Sequence, residues 1–70
     1  MKVGDLIDVK VWTTRSLRMQ FGVGMIIDTR RGNHPIVGSQ WTNWHTVWFS
    51  KNGVEKEFYE DDIAPLGYWI

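Results

Sequence analysis

Two histidines and a run of three carboxylates are the side chains in this sequence best suited to acid–base or metal chemistry. General acid–base catalysis needs two groups in environments that separate their pKa values. Glu60, Asp61 and Asp62, however, are consecutive in a segment typical of a solvated surface turn. His45 lies in a β-rich segment next to Thr46, and adjacent strand residues point to opposite faces, so the two cannot act as a base and a nucleophile. We therefore expect His45 to be a surface or rim histidine.

The remaining motifs do not complete a catalytic or cofactor site. The chain has no cysteine, which excludes disulfides and thiolate zinc sites. His34 and His45 would supply at most half of a metal site. Gly22-Val23-Gly24 lacks the third glycine, the lysine and the following helix of a phosphate-binding loop. The sequence thus predicts no catalytic residue, no metal and no cofactor, in a protein that is not an enzyme.

Length and charge limit the classes of partner. Seventy residues with a formal net charge of zero indicate a single domain, residues 1–70, and argue against a dedicated nucleic-acid binder, which usually has a strong basic excess. Residues 1–31 carry six basic and three acidic side chains, a balance of +3, and residues 32–70 carry two basic and five acidic ones, a balance of −3. Such polarity can drive self-association, and it is also common where oppositely charged loops face each other. No apolar run approaches the roughly 20 residues of a membrane span, and the first residues lack the apolar stretch of a signal peptide, so we expect a cytoplasmic protein without a membrane partner.

Alternation of apolar and polar residues predicts five short strands. We expect these at residues 2–12, 21–28, 44–50, 54–59 and 67–70, with a polar loop at 13–20 and a long loop at 29–40. Asn52-Gly53 predicts a type I′ hairpin turn, and residues 60–66 suit a single 3₁₀ turn with Ile63 and Leu66 pointing inward. Five such strands are too few for two broad sheets, but they can close into a small bent barrel.

Four motifs follow one another in an order known from a family of small barrels. VGDLIDVKV, GVGMIID, HTVWFSKNG and YEDDIAPL together resemble the SH3-like pattern of Tudor, KOW and related domains, over residues 3–66. The resemblance implies an all-β, SH3-like five-stranded small barrel with one 3₁₀ turn. The inward side chains it implies are Ile7, Val9, Met25, Ile27, Val47, Phe49, Phe58 and Ile63. The compact chain also resembles small proteins of tailed bacteriophages, especially those of marine cyanobacteria, which implies the host cytoplasm or the virion.

The tryptophans of the third strand indicate a contact surface. Strand alternation places Trp44 and Trp48 on one face, and the resemblance, which implies that Val47 and Phe49 point inward, makes it the outer face. There the 29–40 loop, the tail or another molecule must cover them, because exposed apolar area costs about 25 cal/mol per Å². We expect a non-enzymatic protein–protein interaction or assembly module that binds a protein partner or forms a homo-oligomer. The predicted partner-binding residues are Trp44, Trp48, Tyr59, Tyr68 and Trp69.

Two alternatives use other aromatic residues. A nucleic-acid-binding module would combine aromatic and basic side chains from two loops at the same end of the barrel. Its residues would be Arg15, Arg18, Arg30, Arg31 and Trp41. The resemblance to Tudor domains also suggests a cation-binding aromatic cage, for which the candidates are Trp12, Trp41, Trp44 and Tyr59. Lys51-Asn52-Gly53 stands where the family has a cage aromatic, which argues against the cage.

Overall fold

The protein folds into one curved antiparallel sheet. The computed structural model describes residues 1–12 and 14–68, with all their side chains except those of residues 15, 17 and 18. In chain order it contains β1 (Leu6–Val9), α1 (Arg15–Phe21), β2 (Gly24–Asn33), β3 (Trp41–Phe49), β4 (Val54–Tyr59), a 3₁₀ turn (Glu60–Asp62) and β5 (Ile63–Pro65). The order of the strands in the sheet is β4-β3-β2-β1-β5. The all-β class, the five strands and the 3₁₀ turn are confirmed, and the resemblance to SH3-like barrels stays a prediction.

A single core contacts all five strands, which requires the sheet to curve strongly. Phe58 comes from edge strand β4 and Ile63 from edge strand β5, and both belong to the same packed cluster. In a flat five-stranded sheet the two edge strands would lie about 19 Å apart. The sheet therefore wraps around its inner face. The buried members of this core are Ile7, Val9, Ile26, Val47, Phe49 and Ile63.

The inner face of β2 differs from the prediction. Ile26 is fully buried, whereas Met25 is half-buried on the outer face and Ile27 is exposed. The predicted inward orientation of Met25 and Ile27 is therefore wrong. The physical reason is that Gly24 takes an inward position, although it has no side chain to mark it. A register shift between Ile26 and Asp28 then leaves Ile27 in a β-bulge, which interrupts the alternation.

Gly24 allows β2 to approach β3 more closely than any other residue type would. An ideal Cβ at this position would lie 2.4 Å from Val47 Cγ1 and 2.9 Å from Phe49 Cε1. Both neighbours are fully buried core side chains, so neither has room to move away. The missing side chain is what permits the sharp bend of the sheet.

Residues 15–21 form α1 and not the predicted loop. Its last turn is attached to the β3–β4 turn, where the Lys51 ammonium donates to the Met19 carbonyl and Asn52 Nδ2 donates to the Gln20 carbonyl at 3.5 Å. Phe21, the last helical residue, stacks on Trp12 with ring centroids 4.5 Å apart. This tertiary packing stabilises a segment too short for helix formation on its own. In the described part of the chain, no helix has the length and apolar character needed to cross a membrane.

The strand boundaries agree with the prediction best at β4, whose limits are those predicted. β1 is shorter, since Val11 lies beyond it and is 51% exposed. β2 ends later and β3 begins earlier than predicted, so the loop between them covers residues 34–40 and not 29–40. The β3–β4 hairpin is present, but Gly53 has φ +69° and Asn52 does not have a positive φ, so the turn is not type I′.

The fifth strand lies earlier in the chain than predicted. Residues 63–65 pair with β1, whereas Gly67 and Tyr68 lie in a turn, and Trp69 and Ile70 fall outside the described residues. Ile63 points inward as predicted, but Leu66 is 49% exposed. β5 begins at Ile63, directly after the 3₁₀ turn Glu60–Asp62, and pairs with β1 at the far edge of the sheet from β4.

We expect Gly24→Ala to lower the free energy of unfolding by about 1–3 kcal/mol, because the added methyl overlaps two side chains that cannot move away. The matched control is Gly38→Ala, since a Cβ at Gly38 meets no atom within 4 Å. The control should change stability by less than about 0.5 kcal/mol. Urea unfolding of the two variants measures the difference, and equal stabilities would contradict the packing argument.

Candidate functional site

Cross-strand pairing places Trp44 and Trp48 of β3 on the outer face, as predicted. Trp44 is paired with Arg30 and Tyr59, and Trp48 is paired with Met25 and Glu55. Between them, His45 and Val47 point the other way into the core, and Thr46 lies on the same outer face. Trp44 and Trp48 therefore share a face but have different neighbours.

Trp44 is covered by its own chain. Its indole Nε1 donates to the Asn33 carbonyl at 3.0 Å, and the Arg30 guanidinium lies 5.4 Å from its ring centroid. An ideal Cβ on Gly32 would lie 3.0 Å from Trp44 Cδ1, so the indole packs directly on the backbone of β2. Tyr59 completes the contact with ring centroids 5.8 Å apart. The cover that Trp44 requires thus comes from the predicted 29–40 segment. Residues 29–33 of this segment belong to β2 and do not form the predicted loop.

Arg30 is held between Trp44 and an acidic residue of β4. Its Nε and Nη2 donate to the two carboxylate oxygens of Glu57 at 3.0 and 2.7 Å. This bidentate hydrogen bond raises the pKa of Arg30 above its ordinary value, with the charge of Glu57 adding to it. Both side chains are largely exposed, so the pair stabilises the fold only modestly. Its main consequence is that Arg30 is already paired within the chain.

Trp48 lies in a row of apolar side chains that crosses three strands. Leu6 of β1 pairs with Met25 of β2, and Met25 pairs with Trp48 of β3. Leu6 is 49% exposed, Trp48 is 37% exposed and Met25 is half-buried. We name these three residues the outer apolar row. Leu66, also 49% exposed, lies at its end, because its N–H donates to the Leu6 carbonyl at 3.2 Å.

The predicted partner-binding residues do not form one surface. Tyr59 contacts Trp44 and not Trp48. Tyr68 follows β5, which is separated from β3 by two other strands of the sheet, and there the Gly67 N–H donates to Asp8 Oδ2. Trp69 lies outside the described residues. The sequence predicts Trp48 as a contact residue but not Leu6 and Met25. Leu6 is predictable as an outward residue, because it alternates with the inward residues Ile7 and Val9 of β1.

The residues predicted to bind nucleic acid also fall into two separate groups. Arg15 and Arg18 belong to α1, which is attached at the β3–β4 turn, whereas Arg30 and Arg31 pair with the first residues of β3. The two groups therefore lie at opposite ends of β3, and the predicted common end is wrong. Arg31 and Trp41 do share a face of the β2–β3 hairpin, and Trp41 is 60% exposed.

His45 is placed differently from the prediction, whereas His34 lies in a loop as predicted. His45 is 1% exposed, on the inner face between Thr29 and Phe58, so its prediction as a surface or rim residue is wrong. Its Nε2 lies 3.6 Å from Glu60 Oε1. His34 Nε2 lies 3.6 Å from Asp61 Oδ2. Within the described residues, no group of three or more His, Asp or Glu side chains is arranged to hold a metal ion.

An aromatic cleft that the sequence did not reveal lies beside α1. Among the described residues, Trp12, Phe21 and Phe58 form its walls, and Lys56 and Glu57 also line it. Trp12 packs against the inner aromatic rings, while Trp44 and Tyr59 lie on the outer face, so the predicted cage of these residues is not assembled. The sequence does not predict the cleft, because the cleft depends on α1 and the sequence predicts a loop in that segment.

The phenol of Tyr59 is the titratable group at the edge of the Trp44 contact. Burial raises the pKa of Tyr59 above its usual 10.0, and the Asp62 carboxylate, which accepts the phenol hydrogen bond, and Asp61 raise it further. The folded chain thus holds the phenol proton more tightly than the unfolded chain does. This contribution to stability is complete below pH 10 and is lost as the pH rises through the folded pKa.

We therefore expect the free energy of unfolding to fall more steeply above about pH 10 in the wild type than in Tyr59→Phe. Urea unfolding at about pH 8 and about pH 11 measures the two slopes. Identical slopes in the wild type and in Tyr59→Phe would contradict the raised pKa.

Comparison of the chain with models of protein families, with curated proteins and with solved structures found no match. Its function therefore has to be argued from its own side chains, since function resides in sites and not in folds. The outer apolar row, the aromatic cleft and the β2–β3 hairpin are the three features available for that argument.

Proposed function

We propose that this protein is a non-enzymatic interaction and assembly module, and that its outer apolar row binds a protein surface, foremost that of a second copy. The observation that carries the proposal is the alignment of Leu6, Met25 and Trp48 on three adjacent strands. Trp44, by contrast, is already covered by the chain itself. Leu6 and Trp48 thus keep apolar area that the fold does not bury.

The surroundings of the outer apolar row are those of a protein contact. Neighbouring strands lie about 4.8 Å apart, so the row is about 10 Å long before Leu66 extends it. Polar side chains flank it on the same face, with Asp28 and Thr46 on one side and Glu55 at its end. An apolar centre with a polar rim is the usual arrangement of a protein interface. The side chains stand on regular strands, so little order has to be imposed on binding.

The assembly is a homo-oligomer or a larger particle into which this chain is built. The resemblance to small proteins of tailed bacteriophages extends the proposal to a structural or accessory component of a phage, in the host cytoplasm or in the virion. The SH3-like resemblance is compatible with this role, because small barrels present their outer faces to other molecules. The three residues of the outer apolar row are uncharged, and the charged Asp28 and Glu55 lie only at its rim, so salt should change the affinity of binding little.

We expect Trp48→Thr and Leu6→Thr to raise the protein concentration at which the chain self-associates by about tenfold or more, because each removes apolar contact area. Threonine keeps the preference for a strand. Val11→Thr is the matched control, since Val11 is 51% exposed but lies outside the row. Light scattering over a concentration series measures the change. A wild type that stays monomeric throughout, or a control that behaves like Trp48→Thr, would overturn self-association through the row.

Nucleic-acid binding is the second candidate, and one observation favours it: Arg31 and the exposed Trp41 share a face of the β2–β3 hairpin. Such a pair could stack on a base and neutralise a phosphate. Arg30, however, is paired with Glu57, and net charge is zero.

We therefore expect no binding of a random single-stranded oligonucleotide even at low salt, where counterion release makes such binding strongest. Fluorescence anisotropy of a labelled oligonucleotide measures it. Binding that weakens with salt and is lost in Arg31→Ala would favour the second candidate over the first.

A further inference from the structure

The tip of the β2–β3 hairpin, residues 34–40, presents apolar side chains on a rigid turn. Ile36 is 79% exposed and Val37 is 42% exposed. The turn is ordered by its own hydrogen bonds, since His34 Nδ1 accepts the N–H groups of Ile36 and Val37 at 3.1 and 3.0 Å. Asn33 Nδ2 donates to the Gly38 carbonyl at 2.7 Å. The two apolar side chains are therefore held in place although nothing in the described chain buries them.

The aromatic cleft is concave, whereas the hairpin tip projects from the molecule. Trp12 stacks on Phe21 with centroids 4.5 Å apart and meets Phe58 edge-on at 5.7 Å. The Lys56 ammonium lies 5.6 Å from the centroid of the Phe21 ring and so stands beside the opening. The cleft is about 520 Å³ in volume, which exceeds what one branched aliphatic side chain occupies. It is a concave apolar surface with a cation beside it.

The tip and the cleft lie far apart on one chain. The tip ends where β3 begins at Trp41, whereas the cleft-lining Lys56 is paired with Val47, six residues further along β3. Six strand residues span about 20 Å, and the longest dimension of the molecule is 35 Å. Because both elements belong to the same rigid sheet, a chain cannot insert its tip into its own cleft. Only another molecule can fill the cleft in this way.

The charges around the two features are complementary. The 3₁₀ turn Glu60–Asp62 lies against the base of the tip, where Asp61 is 72% exposed and 3.6 Å from His34. Arg31 is the basic residue nearby, since Arg30 is paired with Glu57. On the cleft side, Lys56 is exposed, and Glu57, which also lines the cleft, is already paired with Arg30. An exposed carboxylate thus lies beside the tip, and an exposed ammonium lies beside the cleft.

We propose that the hairpin tip of one copy inserts Ile36 and Val37 into the aromatic cleft of a second copy, with the acidic turn of the first facing Lys56 of the second. This deepens the proposed assembly function by naming a second copy as the partner, and it uses a surface other than the outer apolar row. The contact is heterologous, because different surfaces meet. Repetition produces a ring or an open chain of molecules.

The experiment uses two variants of exposed residues in a Trp48→Thr background, in which the outer apolar row contributes little. Ile36→Ser inactivates the tip and Lys56→Glu inactivates the cleft. Each alone should raise the concentration needed for association by about tenfold or more, because an aliphatic contact or a charge pair is lost. Mixed together, they should form a one-to-one heterodimer, since the intact tip of one fits the intact cleft of the other. Sedimentation velocity with one variant fluorescently labelled measures the heterodimer.

The controls and the contrary outcomes follow from the same geometry. Ser39→Ala at the tip and Lys2→Glu far from the cleft should associate like the background protein, and unchanged urea unfolding shows that Ile36→Ser and Lys56→Glu are folded. A mixture that contains no heterodimer, or a background protein that stays monomeric, would overturn the tip-to-cleft contact. If Trp48→Thr alone abolishes association, the tip-to-cleft contact is excluded, but the proposed assembly through the outer apolar row is retained. Binding of the monomer to lipid vesicles through Ile36 would assign the tip to a membrane and also overturn it.

Discussion

The close approach of β2 to β3 at Gly24 is the contact on which the curvature of this small sheet depends. Val47 and Phe49 occupy the space that a side chain at Gly24 would need, so the two strands bend inward together. The bend lets both edge strands reach one core, which a chain of seventy residues without cysteines needs for stability. Since the core takes the alternate positions of β3, Trp44 and Trp48 necessarily point outward.

The unequal lengths of the strands determine where the outward residues lie. β1 pairs only with Gly24 and Met25 at the start of β2, whereas β2 and β3 stay paired out to Asn33 and Trp41. The far half of this hairpin therefore projects beyond the core. Trp44 stabilises that projection from outside through the Asn33 carbonyl and the Arg30 guanidinium, and the buried His45 marks its inner boundary.

The sequence predicted what local pattern determines and missed what depends on contacts between distant residues. The limits of β4 and the position of the β3–β4 hairpin follow from alternation and turn residues. The burial of Val47, Phe49 and Ile63 agrees with the inward positions that the resemblance implies. Met25 and Ile27 were assigned inward because a glycine gives no sign that it occupies a core position. α1 was missed because its helical state depends on Phe21 packing against Trp12. Trp48 could be predicted as an outer residue, but its neighbours could not, since they depend on the register of three strands.

The exposed apolar residues are distinct from the core in both position and energetics. Leu6 and Ile36 are 49% and 79% exposed, so their contribution to folding is small compared with that of a fully buried residue such as Ile7. Their backbones are nevertheless fixed, one by strand pairing and one by the hydrogen bonds of the tip. An apolar group that is already ordered loses little conformational entropy when it binds, so more of its burial energy appears as affinity. The proposed assembly therefore relies on exposed apolar residues whose backbones the fold already orders.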